Sequence, residues 1–322
     1  MLSRTADHLF WMARYTERAE SIARMLDVNH QAALLPQPAD VATRGWQGLL
    51  SISELLPTYT ALHGEVTPAK VLDFMVKDPA NPSSIVACLQ AARENARAVR
   101  GALNTEAWEI QNQTWLEVNR LLASGALERD PAHFFEWVKF RSHLSRGATV
   151  GTMLQDEALH FMRLGTFLER ADNTARLLDV KFHAVQSDFL GAAALAQDQS
   201  RDQDYYHWSA VLLSVSGFET YRKAYSDVIT PERVAELLIL RADMPRSLHA
   251  CVQAVTGHLD MLGSGPSGET QRQAGRLLAR LKFACIDEIF TNGLHAYLMQ
   301  FLERVNDLGA RISRDFLAPS AA

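Results

Sequence analysis

The sequence predicts an all-α protein: a multi-helix bundle built from a tandem duplication with pseudo-twofold symmetry. Three observations predict it. The periodic stretches are dominated by Ala, Leu, Arg and Glu, which favour helix, and no stretch shows the strict alternation of a half-buried strand. Helix-start signals recur, with Thr67-Pro68 and Thr230-Pro231 each placing a capping threonine before a proline at the first helical position. The chain also repeats itself. Glu17-Arg18-Ala19-Glu20 and the residues on to Val28 align without a gap to Glu169-Arg170-Ala171-Asp172 and the residues on to Val180, at an offset of 152. Self-similarity of that length marks a duplicated structural unit.

The elements follow in order. A helix over 3–35 carries the stripe Ala6, Leu9, Phe10, Ala13, and one over 43–63 carries Trp46 and Tyr59. Thr67-Pro68 starts a helix over 68–77, Asn81-Pro82 one over 82–103, and a further helix spans 106–123. The second copy of the repeat lies in a long element over 131–186, with a break near Gly147. Trp208 and Tyr221, at an offset of 162 from Trp46 and Tyr59, place a helix over 204–226. Thr230-Pro231 starts 231–240, and Met244-Pro245 starts 245–262 less well, because methionine cannot cap. A last helix over 268–315 contains a third aromatic-x-Glu-Arg phrase, Phe301-Leu302-Glu303-Arg304. Residues 36–40, 192–202 and 263–268 read as loops by composition. No linker separates the halves, so the expectation is one domain over 1–322 with repeat units of about 1–150 and 151–322.

Composition narrows the function classes. The chain has 322 residues, 48% hydrophobic and 21% charged, enough for a large core. Its net charge of −5 argues against a dedicated nucleic-acid binder. Cys88, Cys251 and Cys285 lie far apart, without paired zinc spacing, as expected of reduced thiols in a cytoplasmic protein. No stretch approaches the ~20 apolar residues that span a bilayer, and no signal peptide is evident. There is no phosphate-binding glycine loop, nucleophile elbow or HExxH, so no catalytic residue and no cofactor is assigned.

The candidate polar cluster comes from the repeat. At about 100° per residue, Glu17, Glu20 and Arg24 continue the apolar stripe of the first helix, with Arg18 about a quarter-turn away. Glu169, Asp172 and Arg176 do the same in the second copy. Ala13 and Gly165, one turn earlier, would let another helix approach closely. Charges on a core face must be paired. Three readings stay open: a buried ion-pair network that fixes helix register, a carboxylate-lined cavity for an amine, a metal or acid/base chemistry, and plain surface charge. Glu157-x-x-His160 has the spacing of di-iron bundles, but Thr5 stands where the first unit would need the acid, so no metal is expected. The third copy has Asn306 and Ala310 where the acid and second arginine stood, and reads as structural.

A second constellation places Arg93, Arg97 and Arg100 on one helix face, a candidate for an anion or an acidic partner, against the commoner reading of a solvated face. Lys139, Arg141, His143 and Arg146 form a basic cluster that could line the same groove.

These residues resemble the bacterial alpha-E domain family, a helical family named for its Glu-Arg motif. The resemblance rests on the opening Leu2-Ser3-Arg4-Thr5-Ala6-Asp7-His8 through Glu17-Arg18, the Asn81-Pro82-Ser83-Ser84-Ile85 segment, Ala92-Arg93-Glu94-Asn95-Ala96-Arg97, Phe167-Leu168-Glu169-Arg170 and Pro245-Arg246-Ser247. It covers nearly the whole chain. The resemblance implies a partnership with circularly permuted ATP-grasp proteins, often near a transglutaminase-like protein. The role it implies is that of an accessory or scaffold subunit in ATP-dependent amide or peptide bond formation or modification, presenting a peptide or amine. The alternative is a stand-alone hydrolase or transferase using the buried Glu/Asp–Arg cluster.

Overall fold

The computed structural model describes residues 1–35, 39–191, 197–226, 228–263 and 268–317, with the side chains of 39–40 and 183–204 left out. Among the described residues the secondary structure is helical and contains no strand. The first half holds α1 (Ser3–Ala33), α2 (Ala39–Ile52), α3 (Leu56–His63), α4 (Pro68–Val76), α5 (Ile85–Ala98), α6 (Thr105–Ala123), α7 (Ala126–Arg129) and α8 (Pro131–Thr152). The second holds α9 (Glu157–Gly191), α10 (Gln197–Ser214), α11 (Phe218–Tyr225), α12 (Pro231–Ile239), α13 (Leu248–Leu262), α14 (Glu269–Lys282), α15 (Ile286–Asn292) and α16 (Leu294–Ile312). No helix among the described residues is long and apolar enough to cross a membrane.

The two long helices, α1 and α9, form the centre. They pack chiefly on each other; α5 and α8 cover α1, while α13 and α16 cover α9. Contacts advance together along both, from Phe10 against Gly165 to Arg18 against Glu169, so the two run side by side in the same direction. Gly165 is where the backbones meet. A Cβ placed on it would lie 2.2 Å from the Phe10 carbonyl oxygen, so only glycine fits. The close approach anticipated from Ala13 and Gly165 is thus real, and Ala13 is itself buried.

Several expected boundaries shift, each for a local reason. The helix expected over 43–63 breaks at Glu54 and that over 204–226 at Ser216, two non-glycine residues at φ 56° and 51°. The break expected near Gly147 instead falls at residues 153–156, after α8 ends, because Gly147 is tolerated inside the helix. Asn81 does not start α5. Its carboxamide oxygen accepts from the Ser83 amide (2.9 Å) and its amide donates to the Phe74 carbonyl (3.1 Å), which closes a turn. Ser84 then caps α5 through the Ala87 amide (3.3 Å), and Ser247 caps α13 through Ala250 (3.0 Å). The expected final helix is three, α14 to α16, ending in a π-helical turn over Ser313–Leu317. Of the expected loops, 36–38, 192–196 and 264–267 lie outside the described residues, whereas 197–202 are helical.

Trp46, Trp208, Tyr59 and Tyr221 are all buried, and both tyrosines donate to a loop carbonyl, Tyr59 to Glu65 (3.3 Å) and Tyr221 to Val228 (2.9 Å). Cys88 and Cys251 are fully buried, and burial pushes both thiols up to about 12, so they pack as small hydrophobes.

Gly165→Ala forces α1 and α9 apart and should cost about 1–3 kcal/mol or more in urea unfolding. Gly147→Ala, with open space around its Cβ, should be neutral or stabilising by up to ~1 kcal/mol. Equal effects of the two would contradict the close contact at Gly165.

Candidate functional site

Glu17 and Glu20 lie one turn apart on the face of α1 turned into the bundle, at 1% and 0% exposure. Two carboxylates so placed carry a heavy desolvation cost unless their oxygens are satisfied. Here each of the four oxygens accepts at least two hydrogen bonds. Arg170 forks Glu17 with two bonds, Nε to Oε1 (2.9 Å) and Nη2 to Oε2 (3.0 Å). Arg246 bridges the two acids, reaching Glu17 at 2.8 Å and Glu20 at 2.6 Å. From α8, Arg146 donates to Glu17 (2.8 Å) and Glu20 (2.5 Å), and the Ser142 hydroxyl to Glu20 (2.6 Å). Arg24, one turn on, forks Glu20 Oε1 with Nε and Nη2 and donates to the Ser216 hydroxyl (2.5 Å). His143 sits between Arg24 and Arg146, its Nε2 3.0 Å from one guanidinium and its Nδ1 2.8 Å from the other.

The Glu-Arg phrase exchanges partners across the two central helices. Glu17 of α1 takes Arg170 of α9, and Glu169 of α9 takes Arg18 of α1 through Nε (2.6 Å) and Nη2 (3.1 Å). Arg14 adds a third bond to Glu169 (2.7 Å). The aromatic of the phrase has its own task. One turn before each arginine, the Tyr15 ring lies against the Arg18 guanidinium (5.7 Å) and the Phe167 ring against that of Arg170 (5.4 Å). That stacking holds each fork in place.

Burial raises the Glu17 carboxyl, but Arg170 and Arg246 outweigh it and bring it down to about 2. Burial likewise raises Glu20 and Glu169; Arg246 and Arg146 hold the first well below the carboxylate range, and Arg14 and Arg18 lower the second. The acids therefore stay ionised at neutral pH and have no proton to donate.

The expected cluster of six splits. Glu17, Glu20 and Arg24 share one network, whereas Glu169 forms a neighbouring one with Arg14 and Arg18. Arg176 pairs with Asp172 (2.8 and 3.1 Å) and also with Glu54, on the half-buried side of α9. Four arginines surround the two acids, so their oxygens are already taken by guanidinium groups. Four partners were missed. Arg18 and Arg170 lie a quarter-turn off the stripe, yet at a helix crossing that angle points a long side chain to the neighbouring helix. Arg146, expected in a groove with Lys139, Arg141 and His143, turns inward to both acids. Arg246 sits in the turn before α13, where the Ser247 cap and the bond from Thr174 to the Arg246 carbonyl (2.9 Å) fix it.

The arginine face is otherwise engaged. Arg93 donates to Asn112 (3.2 Å) and pairs with Glu94, which also takes Arg97. Arg93 and Arg100 stack on Trp108. Arg141 turns to α6, donating to the Thr114 hydroxyl (2.8 Å) and the Ile110 carbonyl (3.1 Å), and Lys139 pairs with Asp27 and Glu136. The basic residues of α8 therefore face different neighbours and do not line one groove. His160 meets His258 (3.0 Å) and His8 meets Asn95 (2.7 Å). No group of three metal-ligating side chains occurs among the described residues. In the third copy Glu303 is exposed and, among the described residues, Arg304 bonds only within its own helix, to Gln300 (3.3 Å).

The model of the Alpha-E family, described as a predicted alpha-helical domain with a conserved ER motif, matches residues 1–317, and the chain belongs to that family. An uncharacterized protein of Mycobacterium bovis and two of Mycobacterium tuberculosis are each 23% identical over 342 residues, covering 94% of this chain and 35% of their own length. The chain thus spans about a third of the length of these curated relatives. No solved structure matches it.

Acid should unfold the protein through these groups. Glu17, Glu20 and Glu169 bind protons more weakly folded than unfolded, so their contribution is complete above the unfolded value near 4.5 and is lost as pH falls through the folded one. Burial also lowers His207 to about 3 and His258 to about 4, which adds a loss of stability beginning below pH 6.5. Urea midpoints between pH 7 and pH 3 should fall continuously, most steeply below 4.5; a flat or rising profile would contradict the assignment.

Proposed function

We propose that this Alpha-E domain is a binding or scaffold subunit acting with a circularly permuted ATP-grasp ligase in ATP-dependent amide or peptide bond formation or peptide modification. The observation that carries the reading is the saturation of Glu17 and Glu20 by internal guanidinium groups. A general acid or base needs a proton to give or a lone pair to offer near neutral pH. Glu17, held near 2 with both oxygens doubly bonded, has neither. The reading of the chain as a stand-alone hydrolase or transferase therefore has no free group in its proposed cluster.

The relatives support the same reading, because in each the matching region is 35% of a longer chain. The ligase would supply the nucleotide chemistry, which fits a sequence without a phosphate-binding glycine loop. A transglutaminase-like protein and a peptide or amine substrate complete the proposed setting, in the cytoplasm. Residues 1–322 would be one domain, a tandem duplication with pseudo-twofold symmetry and units of about 1–150 and 151–322. The exchanged Glu-Arg pairs, the paired Trp46/Trp208 and Tyr59/Tyr221 and the serine caps of α5 and α13 support that origin.

Co-purification with an ATP-grasp protein encoded nearby, followed by ATP hydrolysis with and without this chain, tests the proposal. Stable association, a changed hydrolysis rate and no turnover by the chain alone are expected. Absence of association, or turnover by the isolated chain, would overturn it.

A further inference from the structure

The buried network is unbalanced in charge. Arg24, Arg146, Arg170 and Arg246 all contact Glu17 or Glu20, which leaves two positive charges in excess within hydrogen-bonding distance of two acids. A fifth arginine stands beside them. Arg163 of α9 is two turns before Arg170 and only partly exposed, and it has no hydrogen bond or ion pair among the described residues. Its one contact of note is the Phe167 ring, 4.6 Å from the guanidinium. Burial lowers its affinity for a proton, Arg170 and Arg146 lower it further, and Glu17 only partly opposes them. Burial does the same to Arg246 despite its two carboxylates. A protein interior does not ordinarily hold surplus guanidinium charge without an anion near it.

A cleft opens at this point. It lies between α1, α6, α8 and α9, and both Arg146 and Arg163 line it, with Glu17 in its wall. The remaining polar lining is neutral: Thr16, Gln111, Ser145, Thr149 and Thr166. The enclosed space is about 30 Å³, close to the share of one water, and it widens outward to solvent. Such a floor takes an oxygen or two of a larger group whose remainder stays outside. The threonine hydroxyls donate to backbone carbonyls one turn back and the Gln111 amide to Thr16 and Ser145, so the recognition falls to the two guanidinium groups, the chemistry that binds an oxyanion, with the Ser145 hydroxyl beside them.

We propose that this cleft binds the oxyanion group of a ligand, phosphoryl or carboxylate, with Arg163 as its dedicated contact and Arg146 shared between the ligand and the buried acids. The ligand neutralises the surplus charge of the network and couples its occupancy to the packing of α1 against α8 and α9. The site stands independently of any ligase partnership.

The test uses the whole chain and two probes, inorganic phosphate and succinate, titrated at constant ionic strength against sodium chloride. At least one probe should raise the thermal midpoint saturably beyond chloride. Phosphate alone assigns a phosphoryl group, succinate alone a carboxylate, and both assign a general oxyanion site. Arg163→Gln should weaken that response at least tenfold while leaving the unliganded midpoint unchanged or higher, because it removes an unpaired charge. Arg97→Gln, on the outer face of α5, should retain the response. The proposal is overturned if neither probe exceeds chloride, if Arg163→Gln keeps the response, or if that variant lowers the unliganded midpoint by many degrees.

Discussion

Burying Glu17, Glu20 and Glu169 in the middle of a helical bundle is the constraint on which the rest of this structure depends. An ionised carboxylate away from water is tolerated only when every oxygen is satisfied. Satisfying these three draws guanidinium groups from α1, α8, α9 and the turn before α13 into one place. The elements that could otherwise slide along one another are thereby fixed in register. Arg170 can fork Glu17, and Arg18 can fork Glu169, only if α1 and α9 run in the same direction with Phe10 beside Gly165.

The short phrase aromatic-x-Glu-Arg has a physical meaning on these terms. The glutamate is a buried acceptor, the arginine is the donor to the other helix, and the aromatic one turn back is the surface on which that arginine rests. Small residues a turn earlier bring the backbones close enough for the forks to reach. The third phrase lacks these neighbours, and its Glu303 remains in solvent. The phrase alone is therefore insufficient; it needs a facing copy.

Much of the fold was legible because helix formers, capped starts and the repeat at an offset of 152 all point the same way. What escaped were interruptions written in backbone conformation. Glu54 and Ser216 carry no turn signature, and Ser84 and Ser247 lie behind the prolines that looked like the starts. At the site, the helical wheel correctly placed Glu17, Glu20 and Glu169 on inward faces. It failed for Arg18 and Arg170, whose partners lie on another helix, and for Asp172 and Arg176, which pair with each other outside the network while Arg176 also reaches Glu54. A wheel knows one helix at a time; the second acid of the repeat differs because Arg246 serves Glu20, while Ser83 occupies the aligned position in the first half.

The most direct test of the central claim is a double-mutant cycle on Glu17 and Arg170, using Glu17→Gln, Arg170→Gln and the double variant in reversible urea unfolding. If the exchanged pair fixes α1 against α9, each single variant loses the same fork, and Glu17→Gln also leaves one more guanidinium charge uncompensated. The double variant then costs much less than the sum, with a coupling of about 2–3 kcal/mol. A coupling below ~0.5 kcal/mol would mean that the two residues contribute independently and that the exchange of Glu-Arg partners is not what holds the central helices in register.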